Sequence, residues 1–293
     1  MKVAVFGMHV TDDFVPVLQE FFGFLKINNV KVQLYKPFYI HLTEDLKTSI
    51  YYHSFFHSYS DFDEDNELIF SVGGDGTFLQ SVLHIRNFSV PVIGMNSGRL
   101  GFLADISGDQ VKEALKNIFN KKYKVIERSM LEVCFSDTEN IDFNYALNEM
   151  TVIKTDNSSM LNVAAYLDGE FLNNYWADGL IIATPTGSTA YSLSVGGPIL
   201  TPDSENFIIT PLAPHNLTIR PIVVPDNALI TLKVEGRGSN FLTSLDSRSV
   251  AVEFSTTIKV KKASFKLKTL QLPDQPFFYT LRHKLMWGID RRN

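Results

Sequence analysis

The chain has 293 residues, enough for one large domain or two ordinary ones, each with its own core. Its formal net charge of −5 argues against nucleic acid as the main partner, because phosphate backbones attract basic surfaces. Cys134 is the only cysteine, which excludes an intrachain disulfide and a cysteine zinc site and predicts a reducing, cytoplasmic environment. The N-terminal apolar stretch is too short for a signal peptide, and no apolar run approaches the about 18 residues of a membrane span.

The N-terminal part of the chain is predicted to open an α/β domain. Residues 3–7 have the apolar composition of a buried strand, residues 14–28 carry helical periodicity, and residues 30–35 form a second strand. A strand–helix–strand order of this kind is typical of a parallel sheet.

Two histidines follow on a segment that is predicted to be helical. His53 and His57 are four residues apart, a spacing that can suit a metal ion when both lie on one helix face. No carboxylate lies at a convincing ligand spacing around them, and the neighbouring aromatic residues are typical of packing. We therefore predict a packing or surface role for this pair.

The first chemical motif is the glycine-rich turn at residues 73–77, Gly-Gly-Asp-Gly-Thr, which lies between a predicted strand and a predicted helix. Glycines let a ligand approach the backbone, and free N–H groups at the start of a helix bind anions. Because a carboxylate would repel phosphate, we expect Asp75 to face a hydroxyl while the amides of Gly74, Gly76 and Thr77 face phosphates. The structural alternative is a tight turn with Asp75 as the helix N-cap.

Two familiar phosphate loops are excluded by the residues themselves. The chain contains no G-x-x-x-x-G-K-[ST] motif, and Leu79 stands where a redox dinucleotide fingerprint requires glycine or alanine. The turn is therefore a phosphate loop of another type.

A further buried strand, residues 90–96, ends at Asn96. Ligands in open α/β sheets lie beyond the carboxyl ends of the strands, so we expect Asn96 beside the turn at residues 73–77. An amphipathic helix over residues 111–119 completes this region.

From about residue 129 the sequence changes to short alternating or β-branched runs separated by turns. This pattern predicts an all-β, sandwich-like domain, in which only residues 188–194 look able to start a helix. The predicted strands are residues 132–135, 146–154, 162–167, 180–184, 216–220, 229–234, 241–245, 250–254 and 257–261.

The second chemical motif is residues 178–198, which begin Asp-Gly-Leu-Ile-Ile-Ala-Thr-Pro-Thr-Gly-Ser-Thr-Ala-Tyr. Hydroxyl groups such as those of Thr189 and Ser192, beside the flat ring of Tyr191, suit the recognition of a nucleoside. The structural alternative is that these hydroxyls cap a helix.

In combination these motifs resemble the NAD kinase family. The resemblance covers most of the chain, up to Trp287-Gly288, and the motif at residues 178–191 is specific, whereas GGDGT alone also occurs in lipid kinases and phosphofructokinases. The matching stretches are residues 73–77, Asn148-Glu149 after a strand, 178–191, 192–198, 211–215 and Arg220-Pro221.

The resemblance implies transfer of the γ-phosphoryl group of ATP to the 2′-hydroxyl of the adenosine ribose of NAD. It implies a Rossmann-like parallel-sheet domain over residues 1–128 and a β-sandwich-like, NAD-binding domain over residues 129–272. Residues 273–293, with a helix over residues 281–286, would return to the first domain. A divalent ion, Mg²⁺, held largely by the ATP phosphates, and a homodimer or homotetramer are also implied.

The resemblance also assigns roles residue by residue. Asp75 is the general base that accepts the proton of the 2′-hydroxyl, and Asn148 and Glu149 hold the adenosine ribose and the base edge. Asp178 lies near the cationic nicotinamide. The adenine pocket is lined by the residues of the second motif, namely Thr189, Ala190, Tyr191, Ser192 and Ser194.

Five more residues are candidates for the site. Asp246 is expected near the phosphates, Phe102 is expected to pack against the substrate base, and Arg99 and Arg248 are the candidate cations for ATP. His215 lies in a matching motif, where a structural role is at least as well supported as a catalytic one.

Two other functions stay open on the sequence alone. A lipid kinase also uses GGDGT before a β-domain but has no need of the motif at residues 178–191. A non-catalytic NAD(P)-binding sensor would bind the dinucleotide without needing Asp75.

Overall fold

The computed structural model describes residues 1–98, 101–104, 106–136, 142–155, 159–273 and 276–286. Arg99 and Trp287-Gly288 therefore lie outside the described residues. The chain divides into two compact units, one formed by Met1–Glu127 and Leu267–Asn293 and the other by Arg128–Lys266. No helix in the described part of the chain is both long enough and apolar enough to cross a membrane.

The secondary structure alternates in the first third of the chain and is mostly β after it. The strands are β1 (Lys2–Gly7), β2 (Lys31–Tyr35), β3 (Ser54–Phe56), β4 (Leu68–Val72), β5 (Val92–Met95), β6 (Lys124–Arg128), β7 (Leu131–Phe135), β8 (Tyr145–Ala146), β9 (Glu149–Ile153), β10 (Leu161–Leu167), β11 (Glu170–Ala177), β12 (Gly179–Ala183), β13 (Asn206–Leu212), β14 (Ile222–Pro225), β15 (Ile230–Glu235), β16 (Asn240–Leu245), β17 (Arg248–Glu253), β18 (Thr257–Lys262) and β19 (Leu267–Gln271). The α-helices are α1 (Val15–Ile27), α2 (Lys36–Ile40), α3 (Asp75–Ile85), α4 (Val111–Phe119), α5 (Tyr191–Ser194) and α6 (Phe277–Leu285).

The first unit is built on a seven-stranded sheet in the order β3-β2-β1-β4-β5-β19-β6. The pairs from β3 through β19 are parallel. Alternate side chains of β1 serve the two faces: Val3 and Val5 belong to the core that includes residues of α1 and α4, while Phe6 packs against His84 of α3. Helices on both faces explain why these strands are almost continuously apolar. The predicted Rossmann-like, parallel-sheet architecture is confirmed.

The register of this sheet places the glycine turn. Val72 at the end of β4 lies opposite Met95 at the end of β5, and the Gly73 N–H donates to the Met95 carbonyl at 2.8 Å. The turn after β4 and the segment after β5 therefore leave the sheet at the same edge, where parallel α/β proteins bind ligands.

The second unit consists of two six-stranded sheets, β11-β10-β15-β18-β7-β8 and β14-β13-β12-β9-β16-β17. Apolar residues from both sheets form one core, as expected for a sandwich. Strand β12 is buried on both sides: Leu180 and Ile182 face this core, while Ile181 and Ala183 pack in a smaller cluster with Val195 and Leu200. The predicted β-sandwich-like architecture is confirmed.

Two predicted elements are wrong. Residues 54–56 form strand β3 beside β2 and not a helix, because aromatic residues favour strands and Phe56 is buried at the sheet edge. His53 Nδ1 also accepts a hydrogen bond from the Val32 N–H of β2 at 3.1 Å. Residues 216–220 form a turn, in which Asn216 Oδ1 accepts from the Thr218 N–H at 3.0 Å, and the strand begins at Ile222.

The end of the chain differs from the prediction in one respect. Strand β19 pairs with β5, so the chain rejoins the first sheet at Leu267, whereas the sequence analysis placed the return at Pro273. The short run of β19 shows no signal that separates it from the preceding β strands.

Candidate functional site

The glycine turn makes Asp75 the first residue of helix α3, with Gly74 as the N-cap. The interpretation of Asp75 as the cap is therefore wrong. Gly73 has φ +149, and a Cβ atom there would lie 2.7 Å from the Thr77 Cβ, so only glycine fits this position. The first turn of α3 presents backbone N–H groups that a helix cannot satisfy internally, as an anion site requires.

The Asp75 carboxylate is held by three consecutive backbone N–H groups. The Phe102 N–H donates to Oδ2 at 2.9 Å, and the N–H groups of Leu103 and Ala104 each donate to Oδ1 at 3.0 Å. Hydrogen bonds to an ionised acceptor are strong, so this arrangement fixes the orientation of the carboxylate. Gly101 makes room for it, because a Cβ atom there would lie 2.7 Å from the Asp75 Cγ.

Asn96 lies beside this arrangement, at the end of β5. Its buried amide donates to the Ala104 carbonyl at 3.2 Å and accepts from the Gly98 N–H at 2.6 Å. Asn96 and Asp75 thus hold opposite sides of Ala104, one through its carbonyl and the other through its N–H. The structure gives Asn96 the position that we expected and a structural task there.

A cation that the sequence analysis missed also reaches Asp75. Lys284 Nζ on α6 lies 3.5 Å from Asp75 Oδ2 and 4.5 Å from the centre of the Phe102 ring. The two charged residues are 209 positions apart in sequence. A basic last turn of α6 is the only local signal, and such residues commonly just complement the helix dipole.

The second unit contains a matching arrangement around Asp246, in the turn between β16 and β17. Its carboxylate accepts N–H hydrogen bonds from Leu147 at 2.9 Å, Asn148 at 2.8 Å and Glu149 at 3.2 Å. Asp246 therefore fixes the backbone of the Asn148-Glu149 pair, because its carboxylate accepts hydrogen bonds from this segment. Burial raises the pKa of Asp246, an effect opposed by these hydrogen bonds and by the nearby Arg248 guanidinium.

Arg248 is engaged within the second unit. Its guanidinium donates to the carbonyls of Phe143 and Tyr145. The structure thus places this predicted ATP-binding cation in a network that ties the β16–β17 turn to the segment before β9.

Asn148 and Glu149 present unsatisfied polar atoms. Asn148 Oδ1 and Glu149 Oε2 are both buried, and neither has a hydrogen-bond partner among the described residues. Burial, followed by the nearby Asp246 charge, raises the pKa of Glu149 to about 8, while the Tyr191 N–H opposes this rise. Buried polar atoms are normally paired, so this pair is suited to donors from a ligand.

The hydroxyl-rich motif lies next to this pair. Gly187 packs on the Asn148 backbone so closely that a Cβ atom would lie 2.9 Å from the Asn148 Cα. The Tyr191 N–H donates to the Glu149 carboxylate, and Tyr191 as a whole is 41% exposed. The motif thus brings Ala190 and Tyr191 to the Asn148-Glu149 pair.

Most hydroxyls of the motif are used internally. Thr189 and Ser194 each donate to a backbone carbonyl three residues earlier, at 3.2 Å and 2.7 Å. Ser192 is fully buried and bonds the Thr210 hydroxyl at 3.0 Å. These hydroxyls stabilise the turn through internal hydrogen bonds, but among the described residues neither short helix of the motif has a side-chain cap, so the interpretation of the hydroxyls as helix caps is wrong.

Two predicted residues lie away from the Asn148-Glu149 pair. Asp178 precedes β12, whereas Glu149 pairs with Ala183 at the other end of that strand, and the Asp178 carboxylate binds Lys154 Nζ at 2.6 Å. His215 donates its backbone N–H to the Trp176 carbonyl at 2.8 Å.

The structure also bears on metal binding. Among the residues described, there is no group of three or more His, Cys, Asp or Glu side chains that could hold a metal ion. His53 and His57 accordingly take part in no such cluster.

Two features define the class of protein. The parallel-sheet unit has a glycine turn with a fixed carboxylate, and the β-sandwich unit has a buried amide oxygen and a buried carboxyl oxygen without partners among the described residues. These are the features of a GGDGT-type nucleotide phosphotransferase. The family model of the ATP-NAD kinase N-terminal domain matches residues 24–123, and that of the ATP-NAD kinase C-terminal domain matches residues 147–272. The NAD kinase of Flavobacterium psychrophilum is 46% identical over 295 residues, covering 100% of both chains. The chain belongs to the NAD kinase family and is an enzyme of that family.

Solved structures share the fold of this chain. The crystal structure of yeast NADH kinase complexed with NADH has a TM-score of 0.85 at 24% identity, covers 99% of this chain and 89% of its own, and shows the fold. The NAD kinase from Archaeoglobus fulgidus in complex with ATP has a TM-score of 0.73 at 28% identity, with 98% and 99% of the two chains covered.

Proposed function

We propose that the protein transfers the γ-phosphoryl group of ATP to the 2′-hydroxyl of the adenosine ribose of NAD, giving NADP and ADP. The observation that carries this proposal is the Asp75 carboxylate, oriented by three backbone N–H groups at the glycine turn. The named ligands of the two solved relatives, NADH and ATP, support the choice of substrates.

Asp75 acts as the general base. A carboxylate has too low an ordinary pKa to deprotonate a ribose hydroxyl in advance, so it takes the proton as the new O–P bond forms. Phosphoryl transfer depends mainly on positioning and on neutralising charge. The fixed orientation of Asp75 serves the first need, and the N–H groups of Gly74, Gly76 and Thr77 serve the second at the polyphosphate.

Asn148 and Glu149 hold the adenosine ribose and the adenine edge. Their unpartnered buried atoms, Oδ1 and Oε2, support this role because ribose hydroxyls and an adenine amino group are donors. Ala190 and Tyr191 line the adenine pocket, with Thr189, Ser192 and Ser194 shaping it through the contacts described above.

Other residues of the site position the binding groups or contact the substrate. Asp246 positions the Asn148-Glu149 backbone, and Arg248 anchors the Asp246 turn through Phe143 and Tyr145. Phe102 packs against the substrate base, Asn96 supports the segment that binds Asp75, and Asp178 favours the cationic nicotinamide.

Mg²⁺ enters with ATP as part of the substrate, held largely by the phosphates. We also propose a cytoplasmic location, which the single cysteine of the chain supports, and a homodimer or homotetramer, which the resemblance to the family implies.

The test is a coupled assay, in which NADP formed from NAD, ATP and Mg²⁺ is detected by an NADP-specific dehydrogenase. We expect metal-dependent NADP formation. Measurable NAD binding without NADP from any phosphoryl donor would favour the sensor, and failure to bind the dinucleotide would favour the lipid kinase. The family models and relatives favour neither of these two alternatives.

A further inference from the structure

Lys284 is held near Asp75 by charge and by an aromatic face. Its Nζ lies 3.5 Å from Asp75 Oδ2, longer than the about 2.7–2.9 Å of a strong charged hydrogen bond. The Phe102 ring, 4.5 Å from the same ammonium, supplies a cation–π contact. With its side chain 32% exposed, Lys284 is placed to exchange this loose ion pair for a ligand.

The hydrogen bonds of Asp75 show where a substrate hydroxyl must come. A carboxylate offers about four lone-pair sites. Two on Oδ1 are filled by the N–H groups of Leu103 and Ala104, and one on Oδ2 is filled by that of Phe102. The fourth site is on Oδ2, the oxygen that Lys284 faces. An acceptor hydroxyl that gives its proton to Asp75 must therefore arrive beside the ammonium.

Distances then relate Lys284 to the transferred group. A hydroxyl bound to Oδ2 would lie about 2.7 Å from it, and the phosphorus about 3–3.5 Å beyond in a productive complex. The non-bridging phosphoryl oxygens thus fall within the reach of a side chain whose Nζ is 3.5 Å from Oδ2. A compact ammonium with three donors suits these oxygens.

We propose that Lys284 is a catalytic cation, which pairs with Asp75 before substrates bind and with the transferred phosphoryl oxygens during the reaction. This inference rests on the proposed function. In the step, the 2′-oxygen forms a bond to the γ-phosphorus as its proton passes to Asp75 Oδ2. The bond from the γ-phosphorus to its bridging oxygen breaks with its electron pair left on ADP.

The experiment compares the full-length wild type with Lys284→Met, which keeps a long apolar stem over the Phe102 ring. Arg282→Met, an exposed cation on the same helix, is the matched control for charge. We expect Lys284→Met to lower kcat roughly 100-fold or more, while the KM for NAD changes less than about threefold and Arg282→Met keeps wild-type kcat.

A second variant separates catalysis from folding. In Lys284→Ala, added ethylammonium or propylammonium should restore the rate of NADP formation in a saturable way. The same addition should leave the rate of Arg282→Met unchanged. Equal kcat for Lys284→Met and Arg282→Met would overturn the inference. So would a loss of rate that no alkylammonium restores, because that result indicates a structural role for Lys284.

The activity of the wild type separates a failure of the proposed function from a failure of the role of Lys284. If it forms no NADP, the proposed function fails and this inference fails with it. If the wild type is active and the Lys284 variants are equally active, only the inference fails.

Discussion

Glu149→Gln should stabilise the nucleotide-free protein increasingly as the pH rises. Glu149 is 8% exposed, and burial followed by the charge of Asp246 raises its pKa from 4.5 to about 8. Glutamine has nearly the same shape as the protonated side chain and cannot ionise. The comparison therefore isolates the loss in the free energy of unfolding that arises because the buried carboxyl stays protonated in the folded protein while it ionises in the unfolded chain.

The sign and size follow from linkage. Below pH 4.5 the carboxyl is protonated in both the folded and the unfolded chain, so its contribution to stability is fully present. Between pH 4.5 and about 8 the unfolded chain ionises while the folded chain keeps the proton, so stability falls. At about 1.4 kcal/mol per pKa unit, the advantage of Glu149→Gln should grow by about 3–4 kcal/mol between roughly pH 5 and pH 8.

Thermal unfolding at a series of pH values, without nucleotide, measures this effect. At about 2–4 °C per kcal/mol, the gap in Tm between Glu149→Gln and wild type should widen by on the order of 10 °C. Glu170→Gln, at an exposed strand position, is the control and should leave the gap nearly constant. A Glu149→Gln gap that is the same at both ends of the pH range would refute the reasoning.

Two further substitutions probe the first unit. Gly101→Ala should displace the Asp75 carboxylate, since its Cβ would lie 2.7 Å from the Asp75 Cγ; turnover should fall roughly 100-fold, whereas Gly98→Ala, with nothing within 4 Å of its Cβ, should retain it. His84 has a pKa lowered by burial from 6.5 to about 4, so the wild type should lose up to about 3 kcal/mol of stability as the pH falls through this window. His84→Phe, in the same aromatic surroundings, should lack that acid loss in thermal unfolding, and an unchanged acid dependence would show that another group causes it.

Local pattern was enough to predict the elements that carry the glycine turn. The strand before residue 73, the helix after it and the position of Asn96 follow from apolar periodicity and from the rule that parallel strands present ligands at their carboxyl ends. The turn within residues 178–191 could likewise be predicted, because its hydroxyl-bearing residues and glycine are close together in the sequence.

What pattern could not supply were pairings between distant residues. Lys284 reaches Asp75 across 209 positions, and Asp246 bonds the Asn148 backbone across 98, so neither contact leaves a local trace. The same limit applies to strand β3, whose aromatic residues suit a helix or a sheet edge equally until β2 is placed beside it. The sequence also could not show which groups the hydroxyls bond. Thr189 donates to the Thr186 carbonyl and Ser192 bonds the Thr210 hydroxyl, so both are used within the protein.

The most direct test of the central claim is Asp75→Asn, with NAD affinity and NADP formation measured on the same preparation. The amide oxygen can still accept from Leu103 and Ala104, but its NH₂ group faces the Phe102 N–H and cannot take a proton from a hydroxyl. We predict that the Kd for NAD stays within about threefold of wild type while kcat falls by roughly 10³-fold or more. NADP formation within tenfold of wild type, at unchanged NAD affinity, would contradict the assignment of Asp75 as the base.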